Sequence, residues 1–166
     1  MKIIDIYTDG SHLDKLNNGR LGCGGVMVER TDSGYGKVLQ EFGKELEKDF
    51  LIKKYGTDNC SNPTAEMLGV LVALTEFRIP TGSEVVIHAD YIGVKEWMNG
   101  NWKIKEPYIA KVKSEIDEII RRKKVNISFD WVKAHQPKSS LNRDAYWNNY
   151  VDLLAKGQRK NERILH

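Results

Sequence analysis

Two hydrophobic periods divide the chain into strands and helices. Apolar and β-branched residues bounded by turn residues predict three strands over residues 3–9, 22–30 and 37–46. Short turns separate these strands, so we expect them to form an antiparallel meander. A short apolar run predicts a buried strand over residues 85–90, and the alternation of apolar and polar residues over 125–132 predicts another strand.

Helical spacing of apolar residues follows the meander. A first helix is predicted near Asn62, which can cap it, with Pro63 at the first helical position, where a missing N–H costs nothing. Three further helices are predicted: a short one over 91–98, a long one after Pro107 and a last one over 144–156. The order of elements is therefore β-β-β-α-β-α-α-β-α.

This order predicts an α/β fold with a mixed five-stranded sheet flanked by helices. Three strands form the antiparallel meander, and α/β crossovers add two parallel strands. Residues 47–60 are charged and fit neither period. We expect one domain over residues 1–158, followed by a basic C-terminal tail over 159–166.

Composition is that of a globular protein with no obvious membrane segment. The 166 residues are 40% hydrophobic and 30% charged, and no apolar run approaches the ~18 residues that a membrane helix needs. No signal peptide precedes the first strand, so we expect a cytoplasmic location. Cys23 and Cys60 lack the spacing of a zinc site, and both are expected to be free thiols.

Net charge is only +3 and does not identify a partner, although the charge is unevenly distributed. Lysine and arginine outnumber acidic residues over 95–124 and again over 133–166. A surface that follows phosphates would have this composition, and so would ordinary solvated helix faces. On charge alone the second interpretation is favoured.

Four acidic residues stand where a site would form. Asp9 is predicted to end the first strand and Asp90 the fourth, and ligands of α/β sheets bind beyond the carboxyl ends of strands. Glu66 is expected in the first turn of the first helix, and Asp152 lies on the last helix; both have apolar neighbours. Taken singly, Asp9 could be a turn former, and Glu66 could favour the dipole at the helix N-terminus. Asp90 could cap the short helix that follows it, and Asp152 could pair with a lysine.

As a set, the four carboxylates predict a divalent-metal site. Carboxylates brought close together repel one another unless something neutralises them, and a hard cation with oxygen ligands does so. Two such ions about 3.5–4 Å apart can hold the attacking and the leaving oxygen of a phosphodiester. The acids alone therefore predict hydrolysis of a nucleic-acid phosphodiester.

Five segments of the chain together resemble type I ribonuclease H. They are Tyr7–Ser11, Asn62–Glu66, Ile87–Asp90, Trp131–His135 and Asn148–Lys156. The resemblance covers nearly the whole chain, with residues 47–60 as an extension before the first helix. It implies the ribonuclease H-like fold in a stand-alone catalytic domain.

The resemblance also implies an activity. Members of the family are endoribonucleases that hydrolyse the RNA strand of an RNA–DNA hybrid with Mg²⁺ or Mn²⁺, leaving 5′-phosphate and 3′-hydroxyl ends. Carried over, Asp9, Glu66, Asp90 and Asp152 are catalytic residues that bind two metal ions. The implied role of His135 is to move protons or to help product and metal leave. The family implies a monomer whose partner is the hybrid duplex, with no membrane association.

Several further residues are implied to bind the substrate. The backbone at Gly10 and the side chain of Asn62 resemble the parts that contact the 2′-hydroxyls of the RNA strand. Ser11 and Asn148 lie in the same motifs, and Trp102 could stack or pack near the DNA strand. These five are the expected substrate-binding residues.

The chain departs from the family pattern at Tyr91, Ile92 and Pro63, and the segment 136–151 is longer than in compact bacterial members. These departures concern how a hybrid is held. Two alternatives stay open: a hybrid-binding module without catalysis, and a DNA-cleaving nuclease of the same fold.

Overall fold

Five strands and five helices make up the described part of the chain. The structure is a computed structural model that describes residues 2–13, 19–134, 136 and 142–157. In chain order the elements are β1 (Ile3–Leu13), β2 (Arg20–Glu29), β3 (Lys37–Glu47), α1 (Lys48–Tyr55), α2 (Asn62–Glu76), β4 (Glu84–Ala89), α3 (Ile92–Met98), α4 (Pro107–Lys123), β5 (Asn126–Trp131) and α5 (Arg143–Ala155).

The strands form one mixed sheet in the order β3-β2-β1-β4-β5. The meander β1-β2-β3 is antiparallel, whereas β4 pairs in parallel with β1 on one side and with β5 on the other. The predicted α/β fold with its mixed five-stranded sheet is confirmed. Because β1 and β4 are neighbours, Tyr7 stands opposite His88, and the two strands carry their acids toward the same end of the sheet.

Two element boundaries differ from the prediction near the site. Strand β1 does not end at Asp9; it continues to Leu13, because the turn-like residues Gly10 and Ser11 pair with β2. Helix α2 is capped by Ser61, so Asn62 is its first residue and Glu66 lies in its second turn. Both shifts place the acidic residues inside regular structure rather than at its ends.

One other segment is also more regular than predicted. Residues 48–55, which the sequence leaves unassigned, form helix α1, with Leu51 and Tyr55 buried one turn apart and Gly56 ending the helix at φ +69°. The last helix, α5, spans Arg143–Ala155, within one residue of the predicted 144–156. The tail over residues 159–166 lies outside the described residues.

Helices pack on both faces of the sheet. Side chains of β1 alternate, so Ile4 and Ile6 join a core with α2 and α4, whereas Tyr7 faces α5 with Val26 and Trp147. Helix α5 packs closely because glycines lie beneath it. A Cβ atom on Gly24 would stand 2.5 Å from the Val151 carbonyl oxygen.

The described residues test two further sequence predictions. Both cysteines are buried free thiols, as expected. None of the helices in residues 2–13, 19–134, 136 and 142–157 has the length and apolar character needed to cross a membrane.

Candidate active site

Asp9, Glu66 and Asp90 meet at one end of the sheet, and we call them the acid cluster. Each offers a carboxylate oxygen, and the three oxygens lie within 4.8 Å of one another. Asp9 is held by β1, Glu66 by α2, and Asp90 directly follows β4. The prediction that the first and fourth strands bring Asp9 and Asp90 together is confirmed.

Glycine lets α2 carry Glu66 into this position. A Cβ atom on Gly10 would stand 2.3 Å from the carbonyl carbon of Ala65 and 2.5 Å from the Glu66 nitrogen, so only glycine fits here. The Gly10 N–H donates to Asp9 Oδ1 at 2.9 Å and lies 3.2 Å from Glu66 Oε1. The Gly10 amide therefore donates hydrogen bonds to two carboxylates of the acid cluster.

The acid cluster is buried and electrostatically strained. Asp9 is 3% exposed and Glu66 is 4% exposed. Burial raises the pKa of Asp9, and the charges of Asp90 and Asp152 raise it further. Burial likewise raises the pKa of Glu66, with added repulsion from Asp9 and Asp90. The cluster therefore favours any positive charge that enters it.

The described residues supply little positive charge to the acid cluster. Within the described residues, no lysine or arginine lies within ion-pair distance of Asp9 or Glu66. Glu66 Oε2 is buried and has no hydrogen-bond partner among the described residues. Converging carboxylate oxygens, one of them without a partner, fit a hard divalent cation such as Mg²⁺ or Mn²⁺.

Asp152 stands beside the acid cluster but is not one of its three converging residues. It contributes to the raised pKa of Asp9, after the larger effect of burial, through its side-chain contact and charge. Asp152 Oδ2 also pairs with Lys156 Nζ at 3.0 Å, one turn along α5. Its role as a metal ligand stays a prediction.

Asn148, one turn before Asp152 on α5, reaches the acid cluster directly. Its side chain is 5% exposed, and Asn148 Nδ2 lies 3.4 Å from Asp90 Oδ2. The indole Nε1 of Trp131 donates to the Asp90 carbonyl oxygen at 3.0 Å, which ties the start of α3 to β5. Asp90 is thus oriented from two sides.

The other predicted substrate residues are spread around the cluster. Ser11 continues β1 opposite Gly22, and the Asn62 Oδ1 atom accepts the His12 N–H at 3.1 Å. Trp102 is 42% exposed and lies edge-on to Trp97, away from the acids. Their roles stay predictions.

His135, the predicted proton-transfer residue, lies outside the described residues. Its role also stays a prediction.

Sequence reasoning missed a further buried acid, which lies outside the acid cluster. Asp5 is fully buried on β1, where Arg30 donates to its two oxygens at 2.9 and 2.7 Å and His88 Nε2 lies 2.8 Å from Oδ1. Burial alone would raise the pKa of Asp5, but the contacts with His88 and Arg30 outweigh it and lower the pKa to about 2. The signal was the strand period, which places Asp5, Tyr7 and Asp9 on one face.

Comparisons with known proteins support the fold and the family resemblance. The profile of the RNase H family matches residues 1–160. A ribonuclease H of Pseudoalteromonas atlantica is 30% identical over 172 residues, covering 99% of this chain and 95% of that protein. A ribonuclease H of Janthinobacterium sp. (strain Marseille) is 32% identical over 169 residues, covering 93% of this chain and 100% of that protein.

Solved structures share the architecture. LC11-RNase H1, isolated from compost, has been solved in complex with an RNA/DNA hybrid; this complex aligns with a TM-score of 0.67 at 22% identity, covering 96% of this chain and 98% of that one. The N-terminal RNase H domain of a Mycobacterium tuberculosis protein aligns with a TM-score of 0.68 at 21% identity, covering 97% and 96%. At these identities the likeness shows the fold, and the family profile and the curated relatives show the rest: the chain belongs to the RNase H family.

Proposed function

We propose that this chain is a metal-dependent endoribonuclease that hydrolyses the RNA strand of RNA–DNA hybrids. The observation that carries the proposal is the acid cluster, whose buried Glu66 has an oxygen without a partner. Membership of the RNase H family supports the reaction class. LC11-RNase H1, with the same fold, was solved with an RNA/DNA hybrid bound, which supports the substrate.

The proposed roles follow from where each residue lies. Asp9, Glu66 and Asp90 hold two ions of Mg²⁺ or Mn²⁺, with Asp152 as the fourth ligand from α5. When bound, the ions supply a water activated for attack and stabilise charge on the departing O3′. This chemistry leaves 5′-phosphate and 3′-hydroxyl ends.

The protein's own groups orient this chemistry. Asn148 contacts Asp90 Oδ2 and so helps to orient this carboxylate. The histidine at position 135 would transfer a proton or assist product release, since a neutral imidazole titrates near working pH. Each of these roles is one that the cleavage assay below can test by substitution.

The proposed grip on the hybrid uses the same end of the sheet. The side-chain oxygen Oδ1 of Asn62 accepts the His12 N–H. The side-chain NH₂ group of Asn62 is therefore the group that would contact a 2′-hydroxyl of the RNA strand. Ser11 lies next to it on β1, and Trp102 offers an exposed indole for the DNA strand.

We also propose a monomeric single domain over residues 1–158 that works in the cytoplasm. One sheet with a core on each face supports the single domain. Two buried free thiols are typical of a reducing compartment and support the location. Light scattering coupled to gel filtration tests the oligomeric state, and a dimer at micromolar concentration would refute the monomer.

A cleavage assay tests the proposed function. The full chain is incubated with end-labelled RNA–DNA hybrid, duplex RNA or duplex DNA, in Mg²⁺, Mn²⁺ or EDTA. We expect cleavage of the RNA strand in the hybrid alone, no cleavage in EDTA, and loss of cleavage in Asp9→Asn. The matched control is Asp117→Asn, which removes an exposed carboxylate on α4 and should cleave like the wild type.

Three outcomes would contradict the proposal. Binding of the hybrid without cleavage under every metal condition would favour a non-catalytic module, and cleavage of duplex DNA would favour a DNA nuclease. Products that carry a 3′-phosphate by mass spectrometry would refute the two-metal chemistry.

A further inference from the structure

A buried polar network joins β1 to the first turn of α5. The Tyr7 hydroxyl donates to Asp144 Oδ1, and the Tyr7 ring stacks on the His88 ring with centroids 4.4 Å apart and planes 12° apart. His88 in turn contacts Asp5. The Tyr7 ring is therefore positioned by its stacking on His88, and the Tyr7 hydroxyl contacts α5. We call Tyr7 and Asp144 the α5 anchor.

The first turn of α5 is fixed by further contacts. Asn142 Oδ1 accepts the Asp144 N–H at 2.7 Å and caps the helix. Arg143 Nε lies 3.7 Å from Asp144 Oδ1 and 4.0 Å from Asp5 Oδ2, between two carboxylates that Tyr7 and Arg30 also contact. The start of the helix is thereby tied to a fully buried charge in the sheet.

The geometry relates the anchor to the acid cluster. Tyr7 and Asp9 are two residues apart on β1 and share the face that α5 covers, about 7 Å apart along the strand. On α5, Asp144 lies about 6 Å before Asn148 and about 12 Å before Asp152 along the axis. The same face of β1 therefore contacts the start of α5 through Tyr7 and carries Asp9 of the acid cluster.

We propose that Tyr7 and Asp144 are positioning residues that set where Asn148 and Asp152 stand relative to the acid cluster. The activity part of this inference rests on the proposed function. The apolar contacts of Trp147, Val151 and Leu154 hold α5 against the sheet, and hydrogen bonds restrain it along its axis. Among these directional contacts, the α5 anchor lies on the strand that carries Asp9.

The chain offers a closely matched control on the same helix. The Tyr150 hydroxyl donates to Glu41 Oε1 at 2.7 Å, so it is also a tyrosine–carboxylate contact of α5 with the sheet. It reaches the edge strand β3, away from the acid cluster. Tyr150→Phe and Tyr7→Phe therefore each remove one tyrosine hydroxyl that joins α5 to the sheet, the first from α5 and the second from β1. Only Tyr7 lies on the strand that carries Asp9.

The experiment compares Tyr7→Phe, Asp144→Ala, the double variant and Tyr150→Phe in the full chain. Tyr7→Phe keeps the ring stacked on His88, and circular dichroism confirms folding before each measurement. Loss of a group that orients metal ligands typically costs about tenfold in activity or metal affinity. We expect kcat on the hybrid to fall about tenfold in Tyr7→Phe, with KM within about twofold of wild type.

Two readouts do not depend on cleavage. Amide hydrogen exchange over residues 145–155 should become faster in Tyr7→Phe, and calorimetry should show Mn²⁺ binding weakened severalfold. Asp144→Ala removes the acceptor of the Tyr7 hydroxyl and should lower kcat at least as much as Tyr7→Phe. The double variant should be no worse than Asp144→Ala, because the Tyr7–Asp144 contact is already absent there. Tyr150→Phe should keep kcat and Mn²⁺ affinity within about twofold of wild type.

The experiment distinguishes failure of the proposed function from failure of the positioning role. If wild type cleaves no hybrid, the proposed function fails, and hydrogen exchange alone then decides the positioning role. If the rate of amide hydrogen exchange over α5 is the same in Tyr7→Phe as in the wild type, the positioning role is overturned. If wild type cleaves and Tyr150→Phe lowers kcat as much as Tyr7→Phe, the effect is general destabilisation and the inference is likewise overturned.

Discussion

Substitution of Asp5 by asparagine tests the energetics of the buried charge beneath α5. Asp5 is fully buried, with two hydrogen bonds from Arg30 and a contact with His88. Asp5→Asn keeps the shape but removes the negative charge, which leaves the guanidinium without its partner. Removing the buried member of this pair is destabilising, because Arg30, whose side chain is 31% exposed, stays partly desolvated without its partner.

The pKa of Asp5 gives the size and pH dependence of this loss. It falls from 3.8 to about 2 on folding. A folded pKa below the unfolded one stabilises the protein above pH 4, here by about 2 kcal/mol, and that contribution disappears as the pH falls toward 2. We therefore expect Asp5→Asn to be less stable than wild type by at least about 2 kcal/mol at pH 7, with about half of the pH-dependent part gone at pH 3.

Urea unfolding followed by circular dichroism at pH 7, 5 and 3 measures this difference. Other carboxylates titrate in both proteins, so the difference between wild type and variant isolates Asp5. The control Asp117→Asn breaks an exposed ion pair with Lys113 and should cost less than about 1 kcal/mol at each pH. A wild-type advantage over Asp5→Asn that is the same at pH 7 and pH 3 would refute the lowered pKa.

Two further predictions concern the acid cluster. Gly10→Ala places a Cβ atom 2.3 Å from the Ala65 backbone, so we expect a loss of about 1–3 kcal/mol by urea unfolding together with loss of cleavage. Gly34→Ala, with open space around it at φ +74°, should cost no more than about 1–2 kcal/mol and spare activity, and an equal effect on activity would contradict this reasoning. Glu66→Gln removes a buried repulsive charge, so its melting temperature without metal should rise while the stabilisation by added Mg²⁺ disappears; a variant that Mg²⁺ still stabilises fully would argue against Glu66 as a ligand.

Regular periodicity explains which elements the sequence predicts well. In α4, Ile109, Val112 and Ile116 recur at helical spacing and are all buried. In α1 the same reasoning fails, because Phe50 and Ile52 are exposed beside the buried Leu51, and apolar residues on two faces leave no clear period. That helix forms because tertiary contacts bury one of its faces, which no local pattern records.

The site is predictable as a set of residues but less so as a geometry. Motifs identified Asp9, Glu66 and Asp90, and the neighbouring strands β1 and β4 bring them together as expected. The position of Asp152 depends on how α5 lies along the sheet, and that follows from contacts of Tyr7 more than a hundred residues away in sequence. Spacing along the chain carries no information on such a contact.

Burial alone does not separate structural acids from functional ones in this protein. Asp5 and Glu66 are both almost completely buried, and both lose most of their hydration on folding. Asp5 has hydrogen-bond contacts with His88 and with the guanidinium of Arg30, and its pKa falls. Glu66 receives one backbone N–H and the repulsion of two carboxylates, and its pKa rises. A charge that the fold buries without neutralising lowers stability, so its presence is best explained by a cation that binds from outside. The comparison of Asp5→Asn with Glu66→Gln in metal-free protein tests this contrast directly, because the first should lower stability and the second should raise it.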